Sequence, residues 1–155
     1  MTWPGLYLGI DPGKRTGVAW IHVYGTEITP VGHSEIYDGD SGFIGWWDGP
    51  RWPGTPDTII FEGFTTREGK FGIDHTPERV IGALKALATR DGVDLIERPP
   101  AGRKRQVPDG VLRRLGMYLP GEPNRNAREA VRHIVAYLKS QKHPTVLEAF
   151  NANRT

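Results

Sequence analysis

The sequence predicts a layered α/β or α+β fold built on a mixed sheet, and three observations carry that expectation. Short β-branched and aromatic runs fill the first sixty residues, helical periodicity fills most of the second half, and the strand-like run Val93-Asp94-Leu95-Ile96 lies between two helical segments. Hairpin strands followed by strands alternating with helices bury their apolar faces best as helices packed on a mixed sheet. The chain has 155 residues, 37% apolar and 25% charged, which is the size and balance of one domain over residues 1–155. Its 20 Gly and 13 Pro imply many turns, yet they form no period and no low-complexity block.

Each element has its own signal. Leu6-Tyr7-Leu8-Gly9-Ile10 is an apolar run that stops at Asp11-Pro12-Gly13, a turn signal that leads to a hairpin-partner strand over Val18 to Tyr24. Ile28 to Tyr37 suits a third strand. Residues 38–56, rich in Gly, Trp and Pro, read as a loop or a short helix between turns. Thr58-Ile59-Ile60-Phe61 is composed as a strand buried on both faces, and it runs directly into Glu62. Pro77 opens a helix whose apolar face is Val80, Ile81, Leu84, Leu87 and Ala88. Asp109 is placed to cap a short helix through Leu115 that Gly116 ends, and Asn124 to cap a longer one striped by Ala127, Ala130, Val131, Ile134 and Leu138. The tail after Pro144 is open between docking and fraying.

Composition excludes several classes of chemistry. There is no cysteine, so disulfide scaffolds, thiolate zinc sites, iron–sulfur clusters and cysteine nucleophiles are ruled out. No run approaches the roughly 18 apolar residues of a spanning helix and no leader pattern opens the chain, so a cytoplasmic protein with no membrane partner is expected. Charge is divided unevenly: residues 1–97 hold 8 Lys and Arg against 14 Asp and Glu, a net of −6, while residues 98–155 hold 12 against 4, a net of +8, together the +2 of the whole chain. A basic C-terminal third is the electrostatic footprint of a phosphate-binding surface, and equally of a solvated basic face.

Asp11 and Glu62 each close an apolar strand. A carboxylate at the end of a central strand stands on a rigid element at the sheet edge, where ligands bind. Hard oxygen donors without Cys select Mg²⁺ or Mn²⁺ over Zn²⁺. On the last long helix Asn126, Glu129 and His133, spaced i, i+3, i+7, run beside the apolar stripe, so Glu129 can face that edge; intrahelical pairing of Glu129 with Arg125 or Arg132 is the alternative.

These residues carry a resemblance. Leu8-Gly9-Ile10-Asp11-Pro12-Gly13 with Thr16-Gly17-Val18-Ala19 resembles the first motif of RuvC-type Holliday-junction resolvases, Ile60-Phe61-Glu62-Gly63-Phe64 their second acidic strand end, and Asn126-Ala127-Arg128-Glu129-Ala130 their C-terminal helix motif. The stretch from Pro108-Asp109 to Leu115-Gly116-Met117-Tyr118 is similar to the compact bacteriophage versions. The resemblance implies a ribonuclease-H-like α/β fold, a five-stranded mixed sheet with helices packed on it. It further implies a crossover junction endodeoxyribonuclease of DNA recombination and repair, in a bacterial or phage-infected cell. It would bind two Mg²⁺ ions, with Mn²⁺ substituting, and leave 5′-phosphate ends at a ligatable nick. Asp11, Glu62 and Glu129 would hold metal, Asp11 bridging the ions, and Asn126 would complete the catalytic set.

Two positions depart from the pattern. Glu129 stands where Asp is usual, one methylene longer, and Asn126 stands at a His or Asp position, where a neutral amide ligates only through its carbonyl oxygen. His133 or Asp109 is therefore expected to assist. Lys14, Arg15, Arg103, Lys104, Arg105, Arg113, Arg114, Arg128 and Arg132 are the candidate DNA-binding cations, and aromatics around Phe64 and Phe71 the candidate wedge into branched DNA. Four-way junctions are the implied partner, with flaps and forks as further substrates, and a homodimer follows from the need for two symmetric nicks. Lys14-Arg15 after the glycine also resembles the pre-ribosomal-RNA nucleases of the same superfamily, and Asn126 leaves open a catalytically silent branched-DNA-binding protein. An actin-like or sugar-kinase nucleotide fold would need a second lobe and a much longer chain.

Overall fold

The structure is a computed structural model that describes residues 5–50, 53–63, 74–99 and 107–154. In chain order it contains β1 (Gly5–Asp11), β2 (Thr16–Tyr24), β3 (Glu27–Ile36), α1 (Gly39–Asp48), β4 (Thr58–Glu62), α2 (Thr76–Asp91), β5 (Asp94–Arg98), α3 (Asp109–Arg114), α4 (Arg125–Ser140) and α5 (Pro144–Asn153). The strands form one mixed sheet in the order β3-β2-β1-β4-β5. β1 is antiparallel to β2 and parallel to β4, and β5 runs parallel to β4. The expected five-stranded sheet with helices packed on it is therefore what the chain forms.

The period of two along the strands sorts side chains onto the two faces. Leu8, Ile10, Val18, Trp20, Ile59 and Phe61 join Phe43, Trp47, Val80 and Leu84 of α1 and α2. Tyr7, Ala19, Ile21 and Ile60 join Ala130, Val131, Ile134 and Leu138 of α4 on the opposite face. On that face two glycines decide how closely the helix lies. A Cβ at Gly9 would stand 2.2 Å from the Ala130 carbonyl oxygen, and one at Gly17 would stand 2.0 Å from the Asn126 carbonyl oxygen. The backbone of α4 thus rests directly on β1 and β2, a closeness no other residue type allows.

The segment over 38–56 resolves into a helix, α1, despite Gly39, Gly42 and Gly45 within it. Its low helix propensity is outweighed by burial of Phe43 and Trp47, each worth roughly 1.5–3 kcal/mol or more. Trp47 Nε1 also donates to Asp91 Oδ2 at 2.6 Å. α2 buries the expected stripe and ends at Gly92 with φ of 69°. The tail docks as α5 through Val146, Ala149 and Phe150.

One expected cap is corrected, and another is met in position alone. Asp109 is the first helical residue of α3, preceded by Pro108, rather than its cap. Asn124 takes the expected N-cap position of α4, but without a side-chain capping bond; its amide donates to the Pro120 carbonyl at 3.0 Å instead.

Candidate active site

The sheet topology brings five strand ends to one edge. The pairs Asp11↔Gly17 and Gly17↔Glu35 set β1, β2 and β3 in line, and Glu62↔Arg98 sets β4 beside β5. Ile10 pairs with Phe61, so the next residue on each parallel strand, Asp11 and Glu62, end side by side. The edge therefore reads Glu35, Gly17, Asp11, Glu62, Arg98. Burial of the preceding apolar residues on both faces fixes this register.

α4 lies over that edge and supplies the third group. His133 is buried, with Nε2 3.7 Å from Asp11 Oδ1 and Nδ1 3.8 Å from Glu62 Oε2. The imidazole thus stands between two carboxylates whose side chains are each 14% exposed. Two largely desolvated carboxylates at adjacent strand ends offer hard oxygen donors to a compact cation.

Glu129 lies one turn before His133 on the same line of the helix and takes the pairing that competes with metal binding. Its Oε1 accepts from Arg132 Nη1 at 2.9 Å. The Arg132 side chain, only 5% exposed, also donates from Nε to the Val107 carbonyl at 3.0 Å and from Nη2 to Asp109. Burial pushes the Arg132 guanidinium below its usual pKa range. Arg132 is therefore an internal clamp joining Glu129 and Asp109, and its expected place on a DNA-facing surface is corrected: its donors are spent inside the protein.

Glu35, which no local sequence signal singles out, governs the start of α4. Its Oε1 accepts from the backbone N–H of Asn126 at 2.8 Å and of Ala127 at 3.2 Å. A carboxylate on the first N–H groups of a helix satisfies donors that have no intrahelical partner and meets the positive end of the helix dipole. Arg15 Nε lies 3.6 Å from Glu35 Oε2, and Arg15 Nη2 donates to the Pro123 carbonyl at 2.6 Å. Asn126 is thereby held by its backbone over Gly17, the register partner of Asp11.

The remaining cations divide. Lys14 and Arg114 are exposed. The Arg113 and Arg128 guanidiniums lie 4.1 and 5.4 Å from the Tyr118 ring centroid, and Arg128 Nη1 also donates to the Leu119 carbonyl at 2.6 Å. Arg103, Lys104, Arg105, Phe64 and Phe71 lie outside the described residues. A cleft beside the acids is lined by Glu62, Arg98, Pro99, Val107, Arg132, His133 and Ala136.

Among the described residues no three His, Asp or Glu side chains form a ready-made metal cage. The donor chemistry nonetheless fits Mg²⁺, which keeps several waters and is held by one or two carboxylates together with substrate phosphates. Asp11 and Glu62 are such a pair.

The mixed five-stranded sheet with helices packed on it is a ribonuclease-H-like fold, and solved structures match it. Within that class the fold is the one seen in Holliday-junction resolvases. The Thermus thermophilus RuvC structure in complex with a Holliday junction substrate superposes with a TM-score of 0.65 at 14% identity, covering 90% of this chain and 97% of that one. A second Thermus thermophilus RuvC structure gives 0.59 at 16% identity, with 89% and 97% covered. The fowlpox virus resolvase, solved in complex with Holliday junction DNA, gives 0.59 at 16% identity, with 86% and 99% covered. No protein-family model and no curated sequence matches the chain.

Proposed function

We propose that this protein is a divalent-metal-dependent endonuclease that hydrolyses phosphodiester bonds in Holliday junctions and related branched DNA. The observation that carries the reading is the pairing of Asp11 and Glu62 on adjacent parallel strand ends with buried His133 between them. The likeness in fold to three resolvase structures supports the choice of branched DNA over other phosphodiesters.

In this reading Asp11 and Glu62 hold the metal, with Asn126 and Glu129 on the overlying helix as the further candidates. When bound, the ions supply Lewis acidity to the phosphoryl oxygens of an in-line displacement and activate water at neutral pH. The protein's own residues supply the rest. The strand ends fix the carboxylates, the glycine-tight seat of α4 fixes His133 against them, and Arg132 holds Glu129 and Asp109 together. Rigid placement of this kind is worth more to rate than added contacts, since sub-ångström errors are costly. Two such sites acting on opposite strands require a homodimer, which we include in the proposal.

The test is incubation of the purified protein with synthetic four-way, three-way, flap and linear DNA and with structured RNA, each with and without Mg²⁺. The reading expects Mg²⁺-dependent cleavage of the branched DNA above linear duplex. Cleavage of RNA alone would move the substrate to that of the pre-ribosomal-RNA nucleases, and tight junction binding without cleavage would make the protein a silent binding module.

A further inference from the structure

Two guanidinium groups line the cleft beside Glu62, and their surroundings differ. Arg132 is satisfied by Glu129, Asp109 and the Val107 carbonyl. Arg98 stands at the end of β5, across the β4–β5 register from Glu62, and is half-buried. Among the described residues its side chain makes no ion pair of the kind that holds Arg132, and its electrostatic partner is Glu62. Burial pushes its guanidinium below the usual range, and the attraction of Glu62 only partly opposes this.

A half-buried guanidinium at the wall of a cleft presents several N–H donors to a bound acceptor. Its planar fork matches an anionic phosphoryl group, with two parallel N–H···O bonds. The cleft sets Arg98 in one lining with Glu62 and His133. Glu62 attracts the Arg98 guanidinium across the cleft and stands 3.8 Å from His133 Nδ1.

We propose that Arg98 is the phosphate-holding residue of this cleft, its guanidinium taking an anionic oxygen of the strand whose linkage lies at Asp11 and Glu62. The identity of that strand rests on the nuclease reading above, whereas the anion site rests on the cleft alone. Arg98 would restrain the phosphate next to the reacting linkage and stabilise the charge that grows on its oxygens, an electrostatic role of the oxyanion-hole kind.

The experiment compares wild type, Arg98→Gln and Arg98→Lys in two readouts. The first is the thermal midpoint in inorganic phosphate against chloride matched in ionic strength. Wild type should be raised by phosphate specifically, Arg98→Gln should lose that rise, and Arg98→Lys, which keeps the charge and the apolar stem, should retain part of it. The second is single-turnover cleavage of a four-way junction with Mg²⁺, together with the junction Kd. Arg98→Gln should slow cleavage by about 100-fold, the usual cost of one preorganised charge-stabilising donor. Its Kd should change by less than about threefold, since one phosphate contact among many carries little of the affinity.

If wild type cleaves no branched DNA yet shows a phosphate response that Arg98→Gln lacks, the anion site stands and the nuclease reading falls. If wild type cleaves and Arg98→Gln matches it in both readouts, the nuclease reading stands and the role of Arg98 is overturned. Arg98→Lys guards against a trivial loss through misfolding: a folded Lys variant with neither phosphate response nor cleavage above the Gln variant also overturns it.

Discussion

The two faces of the sheet do different work. On the α1 and α2 side the core is apolar to the edge, filled by Phe43, Trp47, Ile59, Phe61, Val80 and Leu84. On the α4 side the apolar stripe gives way, toward the strand ends, to buried Arg132 and His133, and the helix backbone comes directly onto the sheet at Gly9 and Gly17. The first face has every feature of a stability layer. The second spends packing freedom on placing charge, since a buried guanidinium and a buried imidazole are tolerated only where carboxylates and carbonyls meet them. A substitution on the first face should therefore lower stability with the chemistry of each folded molecule intact, and one that shifts α4 on the second should lower the chemistry as well.

The largest effect is expected from Phe43→Ala. Removing a fully buried ring should cost about 3–5 kcal/mol in chemical denaturation, with the cleavage rate per folded molecule little changed. A rate that fell as far as a site variant's would break the division of labour between the faces. Next comes Gly17→Ala. The added methyl group would meet the Asn126 backbone, so α4 must lift from β2 at an overpacking cost of about 1–3 kcal/mol. Because that lift moves Asn126 and Glu129 relative to Asp11, cleavage should fall with it, and full activity would show that the seat of α4 does not matter to the site.

Glu35→Ala is the smaller, sharper test. Loss of the carboxylate on the first N–H groups of α4 should cost about 0.5–2 kcal/mol, as for other helix caps. Glu35→Gln, which keeps an acceptor oxygen, should recover part of this. Equal stability of all three proteins would mean that the contact does not hold the helix.

Much of this arrangement is legible in the sequence because it rests on local periodicity. The strand ends at Asp11 and Glu62, the stripe of α2 and the stripe of α4 all follow from short-range patterns with one buried solution. α1 is not, because its glycines argue against a helix and the burial of Phe43 and Trp47 that overrides them is tertiary. Glu35 is invisible for a related reason: its partners Asn126 and Ala127 stand 91 and 92 residues away in the chain, beyond any local signal. Arg132 reads as a surface cation or as an intrahelical partner of Glu129, the pairing the structure shows, and only the fold brings Asp109 onto it as well. Arg98 reads as the start of a basic loop, and its place opposite Glu62 exists only through the β4–β5 pairing.

The central claim is that Asp11 and Glu62 form a metal-binding carboxylate pair, and cleavage rate against Mg²⁺ concentration tests it most directly. For wild type on a four-way junction the rate should rise from nothing and saturate with Mg²⁺. Asp11→Asn should leave the fold and junction binding intact, or tighten binding as a negative charge near phosphate is removed, while cleavage is lost at every Mg²⁺ concentration. Wild-type cleavage by purified Asp11→Asn, or cleavage by the native protein that persists in chelator, would contradict the account.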